Sequence, residues 1–342
     1  MKILQVIDTL NVGGAEKVFI DMCSVLFENN QQVSALFLLE SGALSSEFNP
    51  EIQKFELYRK NKWSVKKMKE CSIILNKFEI VHCHFRHVYR YVTLVNKLFP
   101  FNAKIILHDH YGSIDVDTKV PFLFSSFFKP NFYIGVSNTL VKWAKNNLQL
   151  EDKNVFLLEN IIIKNLQIKE RKKNYDFILV SNIKKIKNNQ FAIDLAKKLN
   201  KSLLLVGKNQ DESYYQNIQN SLTDSIEIDA TISNAQQVLH CAKFGLHTSF
   251  SETGPLVLIE YIAHGLPFLA YETGEVSKVL KNYFPLFFID NFDINQWEER
   301  VKKINENQID YSKFENVFQK EFGKLNYYRK LVEIYICINP KN

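Results

Sequence analysis

Residues 251–267 read SETGPLVLIEYIAHGLP, in which Glu252 and Glu260 lie on either side of a Gly-Pro turn and an apolar run. Gly254 permits a sharp turn, and Pro255 is a residue type that favours the first position of a helix. The apolar run is typical of a buried helix that contains Glu260. Free N–H groups at the start of that helix attract anions. The stretch therefore predicts a site for a ligand that carries phosphate and hydroxyl groups.

Composition indicates an ordinary globular protein with more than one core. The chain has 342 residues, 46% of them hydrophobic and 23% charged, which favours two domains. Its 5 cysteines are scattered and form no C-x-x-C pair, so we expect neither a disulfide framework nor a zinc knuckle. The first apolar run is too short for a signal peptide, and no stretch has the length of a membrane span. We expect a cytoplasmic protein.

Strand and helix patterns alternate along the chain, which predicts parallel sheets covered on both faces. A β-branched run at residues 3–7 leads through Gly13 and Gly14 into a helical pattern. The alternation restarts at residues 177–180, after a polar linker at residues 164–176. We therefore predict two Rossmann-like domains. Strands are expected at residues 3–7, 32–39, 80–84, 104–108, 132–136, 177–180, 202–206, 226–228, 244–247, 266–271 and 286–289.

Ligands of open parallel sheets bind at the carboxyl ends of the strands. Residues in those positions occur in both predicted domains, so we expect a cleft between two facing sheets. The candidates outside the opening stretch are Gly13, Gly14, His82, His84, His108, Asp109, His110, Lys184, Lys185, Lys187 and Gly207.

Each group of candidates leaves alternatives open. Gly13 and Gly14 do not complete a G-x-G-x-x-G pattern, so they predict either a plain tight turn or a close backbone approach to a phosphate or hydroxyl. The histidines alternate along two strands and predict a polar ligand-binding wall or a structural role. Without H-E-x-x-H or comparable spacing, we expect no metal. Among the three lysines, Lys187 lies nearest the next helix and is the candidate for neutralising a diphosphate.

Two surface segments suggest an anionic partner. The segment from Lys54 to Lys69 contains seven basic residues and only one acidic residue. Such a segment is typical of a solvated helix face or of a membrane-binding surface. Nucleic acid is not expected, because stacking aromatics are not interleaved with the charges. The aromatic segment between Phe122 and Phe128 either covers a sheet face or rests against lipid, and Trp63 in the basic segment keeps the second alternative open.

Taken together, these motifs resemble glycosyltransferase family 4, whose members are retaining enzymes of the GT-B fold. The resemblance covers essentially the whole chain, from Gly13-Gly14-Ala15-Glu16 through IVHCH at residues 80–84 and Val136-Ser137 to the opening stretch. There the two glutamates match the E-x7-E signature of the family. The resemblance implies two Rossmann-like domains, at residues 1–165 and 166–324, with a last helix at about 325–342 that crosses back to the first domain.

The resemblance also implies an activity, namely transfer of a sugar from UDP- or GDP-sugar with retention of configuration and without a metal or other cofactor. Glu252 would contact the sugar, Glu260 the ribose and Lys187 the diphosphate, while His108 would lie beside the reacting sugar. The implied catalytic residues are Glu252, His108 and Lys187. The implied donor-binding residues are Gly14, Asn182, Lys187, Gly207, Glu252, Thr253, Gly254, Pro255, Leu256 and Glu260, and the acceptor-side residues are Gly13, His84 and His110.

The sequence departs from the family pattern at two places. Ser181-Asn182 replaces the usual Gly-Arg, so one phosphate-binding cation is missing, and Lys184 or Lys185 is the expected substitute. Thr253-Gly254-Pro255 replaces the commoner Gly-Phe-Gly. Our leading hypothesis is an enzyme of surface polysaccharide or glycoconjugate synthesis, acting on a glycan or lipid-linked acceptor as a peripheral protein at the inner face of the plasma membrane. The alternatives are a nucleotide-sugar 2-epimerase and a catalytically silent nucleotide-sugar-binding partner.

Overall fold

A computed structural model describes residues 1–114, 117–167 and 174–340. The chain forms two compact units. The first unit combines Met1–Ile162 with Gly323–Asn342, and the second is Ile163–Phe322. Part of the predicted linker, residues 168–173, and the last two residues of the predicted C-terminal helix, 341–342, lie outside the described residues.

The first unit is built on a parallel seven-stranded sheet with the order β3-β2-β1-β4-β5-β6-β7. Five of the six residues of β1 and all five of β4 are buried, as expected of parallel strands flanked by helices. The order reverses between β1 and β4, which creates a switch point where loops diverge to opposite faces. The strands are β1 Lys2–Ile7, β2 Gln32–Phe37, β3 Gln53–Glu56, β4 Ile80–His84, β5 Lys104–Asp109, β6 Phe132–Gly135 and β7 Val155–Leu157.

Helices cover this sheet through apolar stripes, and the last helix of the chain is one of them. The helices are α1 Gly14–Glu28, α2 Val65–Leu75, α3 Arg86–Leu98 and α4 Asn138–Asn147, with α11 Lys324–Ile338 returning from the far end of the sequence. In α11, Tyr335 is fully buried and its hydroxyl accepts a hydrogen bond from Gln5 Nε2 of β1 at 2.8 Å.

The second unit contains a parallel six-stranded sheet with the order β10-β9-β8-β11-β12-β13. Its switch point lies between β8 and β11, the two strands at the centre. The strands are β8 Tyr175–Val180, β9 Leu203–Val206, β10 Ile226–Asp229, β11 Ala242–His247, β12 Phe268–Tyr271 and β13 Phe288–Ile289. The helices are α5 Asn189–Lys198, α6 Glu212–Gln219, α7 Leu256–Ala263, α8 Gly274–Lys281, α9 Ile294–Glu306 and α10 Tyr311–Phe322.

The structure confirms the predicted fold class, with two Rossmann-like parallel sheets and a last helix that joins the first unit. Sequence reasoning missed the two edge strands of the first sheet, β3 and β7. Both are short, and β3 lies inside the basic segment, so that segment is part edge strand and part helix α2 rather than one helix face. Where the structure describes the chain, every helix is too short or too polar to cross a bilayer.

Candidate functional site

In the second unit, the switch point brings together the loops that follow β8 and β11. The first loop ends in a short 3-10 turn at Lys185–Lys187, and the second contains Glu252. The two loops are joined by backbone contacts. The Phe250 N–H donates to the Ile186 carbonyl at 2.9 Å, and the Thr248 hydroxyl donates to the Lys187 carbonyl at 3.0 Å.

A partly buried ion pair between Lys187 and Glu252 lies at this junction. Their side chains are 18% and 17% exposed, so water screens the pair only partly. Burial alone would raise the pKa of the Glu252 carboxyl, but the Lys187 ammonium and His247 together outweigh burial and hold that pKa at about 2. At neutral pH the site therefore presents a fixed carboxylate beside a cation that can be shared with a second anion.

The Glu252 loop is anchored on the start of α8. The Glu252 N–H donates to the Thr273 hydroxyl at 3.1 Å, and the Glu275 N–H donates to the Thr253 carbonyl at 2.7 Å. Gly274 allows the Glu252 loop to lie this close to the start of α8. Its φ is +80°, and a Cβ there would lie 2.8 Å from Pro255 Cδ.

Unpaired buried polar atoms concentrate around the same loops. In the described part of the second unit, the buried side-chain atoms without a hydrogen-bond partner belong to Asn189, His247 and Ser251. His247 ends β11, and its Nε2 lies 3.7 Å from Glu252 Oε1, too far for a hydrogen bond. Because such atoms are costly when left unsatisfied, their grouping indicates a place where a polar ligand completes the bonding. Sequence analysis did not single out His247, although its position at a strand end was a usable signal.

The other predicted donor-site residues of the second unit lie on the same edge of its sheet. Pro255 precedes α7, Leu256 begins it, and Glu260 lies in its second turn, where it is 9% exposed. Asn182 follows β8 and its Oδ1 accepts from the Lys208 N–H at 3.1 Å. Gly207 follows β9, and a Cβ there would lie 2.1 Å from the Ser181 carbonyl oxygen, so only glycine fits.

At the switch point of the first unit, acidic groups surround the glycine turn. Gly13 precedes α1 and Gly14 is its first residue. Asp8 follows β1, and its Oδ2 lies 2.8 Å from His87 Nε2. Burial, with the Asp8 charge adding to it, raises the pKa of the Glu16 carboxyl to about 7. The turn is thus lined by titratable groups as well as backbone N–H groups.

The four histidines singled out by the sequence analysis form one cluster in the first unit, with His82 and His84 on β4, His108 on β5 and His110 directly after β5. His82 Nε2 lies 3.0 Å from His108 Nδ1, and His84 Nδ1 lies 3.1 Å from His110 Nε2. Burial lowers the pKa of all four rings, to about 3 for His82 and His110, so they are neutral at pH 7. Asp109 is not part of this cluster, because its carboxylate pairs with Arg86 at 2.7 Å and accepts from the Tyr133 hydroxyl at 2.7 Å.

Binding of a metal ion is the obvious alternative role for such a histidine cluster. Ring nitrogens of His82, His84 and His108 lie within 4.8 Å of one another. Both nitrogens of His82 and of His84, and Nδ1 of His108, already make hydrogen bonds. A three-histidine metal site would have to break several of these bonds, and the rings of His82 and His84 are stacked rather than convergent on one point. The geometry favours a hydrogen-bond network.

Comparison with known families identifies the second unit. A family model described as glycosyl transferases group 1 matches residues 162–321, nearly the whole of that unit. The match covers slightly less than half of the chain, almost all of it in the second unit. The matched residues include Lys187, Glu252 and Glu260, the positions that the resemblance pointed to. A search of curated proteins by sequence finds no match.

Solved structures share the fold of this chain over nearly its whole length. HepE of Anabaena, in a complex with UDP-glucose, is 13% identical with a TM-score of 0.80, covering 98% of this chain and 99% of that one. A glycosyltransferase from Rickettsia africae is 17% identical with a TM-score of 0.76, covering 100% and 99%. TarM of S. aureus, in a complex containing UDP, is 12% identical with a TM-score of 0.76, covering 98% and 100%. The GT-B fold predicted from the resemblance is confirmed.

The anchoring of the Glu252 loop can be tested at Gly274. In Gly274→Ala the left-handed φ and the short contact to Pro255 should lower the free energy of unfolding by about 1–3 kcal/mol. Gly112→Ala is the control, because a Cβ there meets nothing within 4 Å. Thermal denaturation of both variants checks this, and an unchanged midpoint for Gly274→Ala would contradict the anchoring.

The ion pair can be tested through its pH dependence. Lys187→Met leaves the buried Glu252 without its cation and should lower the free energy of unfolding by about 3 kcal/mol at pH 7. Because the pKa of Glu252 is about 2 in the folded protein and 4.5 ordinarily, the stabilisation is complete above pH 4.5. It is lost as the pH falls toward 2, so the difference between variant and wild type should shrink over that interval.

Denaturant unfolding at pH 7 and at pH 3 measures this difference. Lys185→Met is the control, since Lys185 belongs to the same turn but is exposed. A Lys187→Met effect that is equally large at both pH values would show that the pair does not set the pKa of Glu252.

Proposed function

We propose that this chain is a retaining glycosyltransferase that transfers a sugar from UDP- or GDP-sugar to a glycan or lipid-linked acceptor. The observation that carries the proposal is the Lys187–Glu252 ion pair, partly buried at the switch point of a group 1 glycosyltransferase domain. Transfer from a nucleotide-sugar releases a nucleoside diphosphate, on which negative charge develops. A buried, preorganised cation is the kind of group that stabilises such a leaving group.

Each donor-site residue has a role in this proposal. The Lys187 ammonium interacts with the diphosphate as well as with Glu252. Backbone N–H groups between Thr253 and Leu256 donate further hydrogen bonds to the diphosphate. Glu252 accepts hydrogen bonds from hydroxyls of the donor sugar, and Glu260 from the ribose. With the charge of the leaving group met by protein cations and N–H groups, the proposed reaction uses no metal. HepE and the pneumococcal transferase GtfA have been solved with UDP-glucose and with UDP and GlcNAc, respectively, in agreement with this class of donor.

Lys184 is the better substitute for the arginine that the sequence lacks at Asn182. The Asn182 side chain is engaged by the Lys208 N–H, so it is occupied within the protein. Lys184 is partly buried, and burial together with the neighbouring Lys187 charge lowers its pKa. Lys185 is exposed. A second anion between Lys184 and Lys187 would relieve the repulsion of these two cations.

Retention follows, in this proposal, from attack on the same face that the leaving group departs from. The acceptor hydroxyl oxygen forms the new bond to the anomeric carbon, and the bond from that carbon to the diphosphate oxygen breaks. The leaving phosphate takes the hydroxyl proton. Glu252 and Glu260 are not a hydrolase acid and base pair, because one faces the sugar and the other the ribose.

The donor site is tested by a thermal-shift screen of UDP-, GDP- and ADP-sugars with the full chain. A donor at 100 times its dissociation constant should add about 2.7 kcal/mol of stability. Glu260→Gln should weaken binding of that donor by about tenfold or more, because it removes a charged acceptor for the ribose hydroxyls. Glu315→Gln, an exposed carboxylate of the same unit, is the control. Equal binding by Glu260→Gln would contradict the assignment.

Turnover assays with the donor that binds then distinguish the proposed transferase from an epimerase and from a silent binding partner. Proton NMR of the product reports whether the anomeric configuration is retained. An epimerase would convert the donor without any acceptor, whereas the proposed transferase requires one. Tight donor binding without turnover across a broad acceptor panel would favour a silent binding partner.

We further propose that the first unit binds an anionic membrane surface, where a lipid-linked acceptor of surface polysaccharide synthesis would be found. Trp63 is 65% exposed and Phe122 is 79% exposed, which is unusual for large apolar side chains. Both segments pack on α3. Arg59 of the basic segment lies 4.0 Å from the Tyr91 ring, and Lys97 lies 4.3 Å from the Phe127 ring. Basic and aromatic groups thus occur together, as interfacial binding requires.

Sedimentation with anionic liposomes at low salt tests the membrane proposal. The double variant Phe122→Ser, Phe127→Ser should bind at least about tenfold more weakly, since each ring contributes roughly 1–2 kcal/mol on insertion. Leu166→Ser, which removes an apolar side chain that is also 79% exposed but lies in the second unit, is the control. Binding that is lost equally in both variants, or absent from wild type, would contradict the proposal.

A further inference from the structure

A continuous chain of hydrogen bonds runs through the first unit and ends at His108. Gln5 Nε2 lies 2.8 Å from the Tyr335 hydroxyl, which lies 2.8 Å from His82 Nδ1. His82 Nε2 lies 3.0 Å from His108 Nδ1. All four side chains are fully buried. The remaining nitrogen, His108 Nε2, is buried and has no hydrogen-bond partner among the described residues.

The direction of every bond in this chain follows from its first member. Gln5 Nε2 can only donate, so the Tyr335 oxygen accepts there. The Tyr335 O–H must then donate to His82 Nδ1, because otherwise its proton would be buried without a partner. A neutral His82 that accepts at Nδ1 carries its proton on Nε2 and donates to His108 Nδ1. A neutral His108 that accepts at Nδ1 carries its proton on Nε2.

The second branch of the cluster fits the same orientation of the Gln5 amide. Gln5 Oε1 lies 2.9 Å from His84 Nε2, so His84 donates there. His84 Nδ1 then accepts from His110 Nε2 at 3.1 Å. Burial keeps these rings neutral at pH 7, which removes the protonated states that would break the pattern. One amide thus sets the tautomers of all four histidines.

We propose that Gln5, Tyr335 and His82 are positioning residues that fix His108 as its Nε2–H tautomer. This N–H serves as a hydrogen-bond donor to an oxygen of a bound sugar. His110 is the partly exposed ring of the cluster and lies 4.2 Å from the His108 ring, so solvent reaches the cluster on that side. The identity of the ligand as a sugar rests on the proposed function. The tautomer itself does not.

This assignment gives the last helix a role in the chemistry of the first unit. Tyr335 is separated from His82 by 253 positions, yet its hydroxyl is the only described link between the Gln5 amide and the ring of His82. Removing that hydroxyl leaves His82 and His108 free to adopt either tautomer, while the ring that fills the core stays in place.

Long-range proton–nitrogen correlation spectra of the full chain, labelled with ¹⁵N-histidine, test the tautomer directly. The His108 signals are assigned by their loss in His108→Gln. In wild type we expect a protonated Nε2 and an unprotonated Nδ1 for His108. In Tyr335→Phe we expect a mixture of both tautomers. A protonated Nδ1 in wild type, or an unchanged pattern in Tyr335→Phe, would overturn the proposal.

Tyr327→Phe is a matched control. Tyr327 lies on the same helix and is buried, but its hydroxyl has no hydrogen-bond partner among the described residues. This variant should keep the wild-type tautomers, whereas a general loosening of α11 would disturb the spectra of both variants. If Tyr335→Phe does not fold, the wild-type spectrum still decides the tautomer.

Kinetics then test the consequence for the reaction. With the donor that the chain turns over, Tyr335→Phe should lower kcat about three- to tenfold and leave the donor KM within twofold, since the lost bond acts on orientation. Tyr327→Phe should change neither constant. An unchanged kcat in a Tyr335→Phe protein of mixed tautomers would overturn the positioning role. Absence of turnover in wild type would contradict the proposed function while the spectra still test the tautomer.

Discussion

The constraint on which the second unit depends is the reversal of strand order between β8 and β11. Two central parallel strands send their loops to opposite faces there, and the gap between the loops is closed by the Lys187–Glu252 ion pair. A buried pair adds little net stability but is costly to break. The Thr273 hydroxyl holds the backbone of the Glu252 loop, and Gly274 lets that loop pack closely on α8, so the Glu252 carboxylate keeps its position beside Lys187.

The first unit also contains a cluster of polar side chains away from solvent, but these side chains are neutral. The cluster consists of three buried histidines on β4 and β5 and the partly exposed His110 directly after β5. Burial disfavours the imidazolium form of all four rings. Their polarity is instead satisfied by one another and by Gln5 and Tyr335. With the Gln5 amide oriented as described, the network has one consistent pattern of donors, and its buried ring nitrogen without a partner among the described residues is His108 Nε2.

Much of this architecture could be predicted from the sequence. Short, largely apolar runs such as residues 3–7 predicted the central strands, because parallel strands covered by helices on both faces are rich in Val, Ile and Leu. Lys187, His108 and Glu252 were predicted as site residues because they lie at or after the ends of predicted strands. The edge strands β3 and β7 were missed because they are short and lack that signal. The partnership of Tyr335 with His82 could not be predicted, since nothing local in α11 records which strand end its hydroxyl meets.

The central claim is that the loops at the switch point of the second unit hold the nucleotide-sugar. Hydrogen–deuterium exchange of the full chain, with and without a saturating UDP- or GDP-sugar shown to bind, tests this most directly. The account predicts slower amide exchange at residues 181–189 and 247–260. Slower exchange confined to other parts of the chain, with these two segments unchanged, would contradict it.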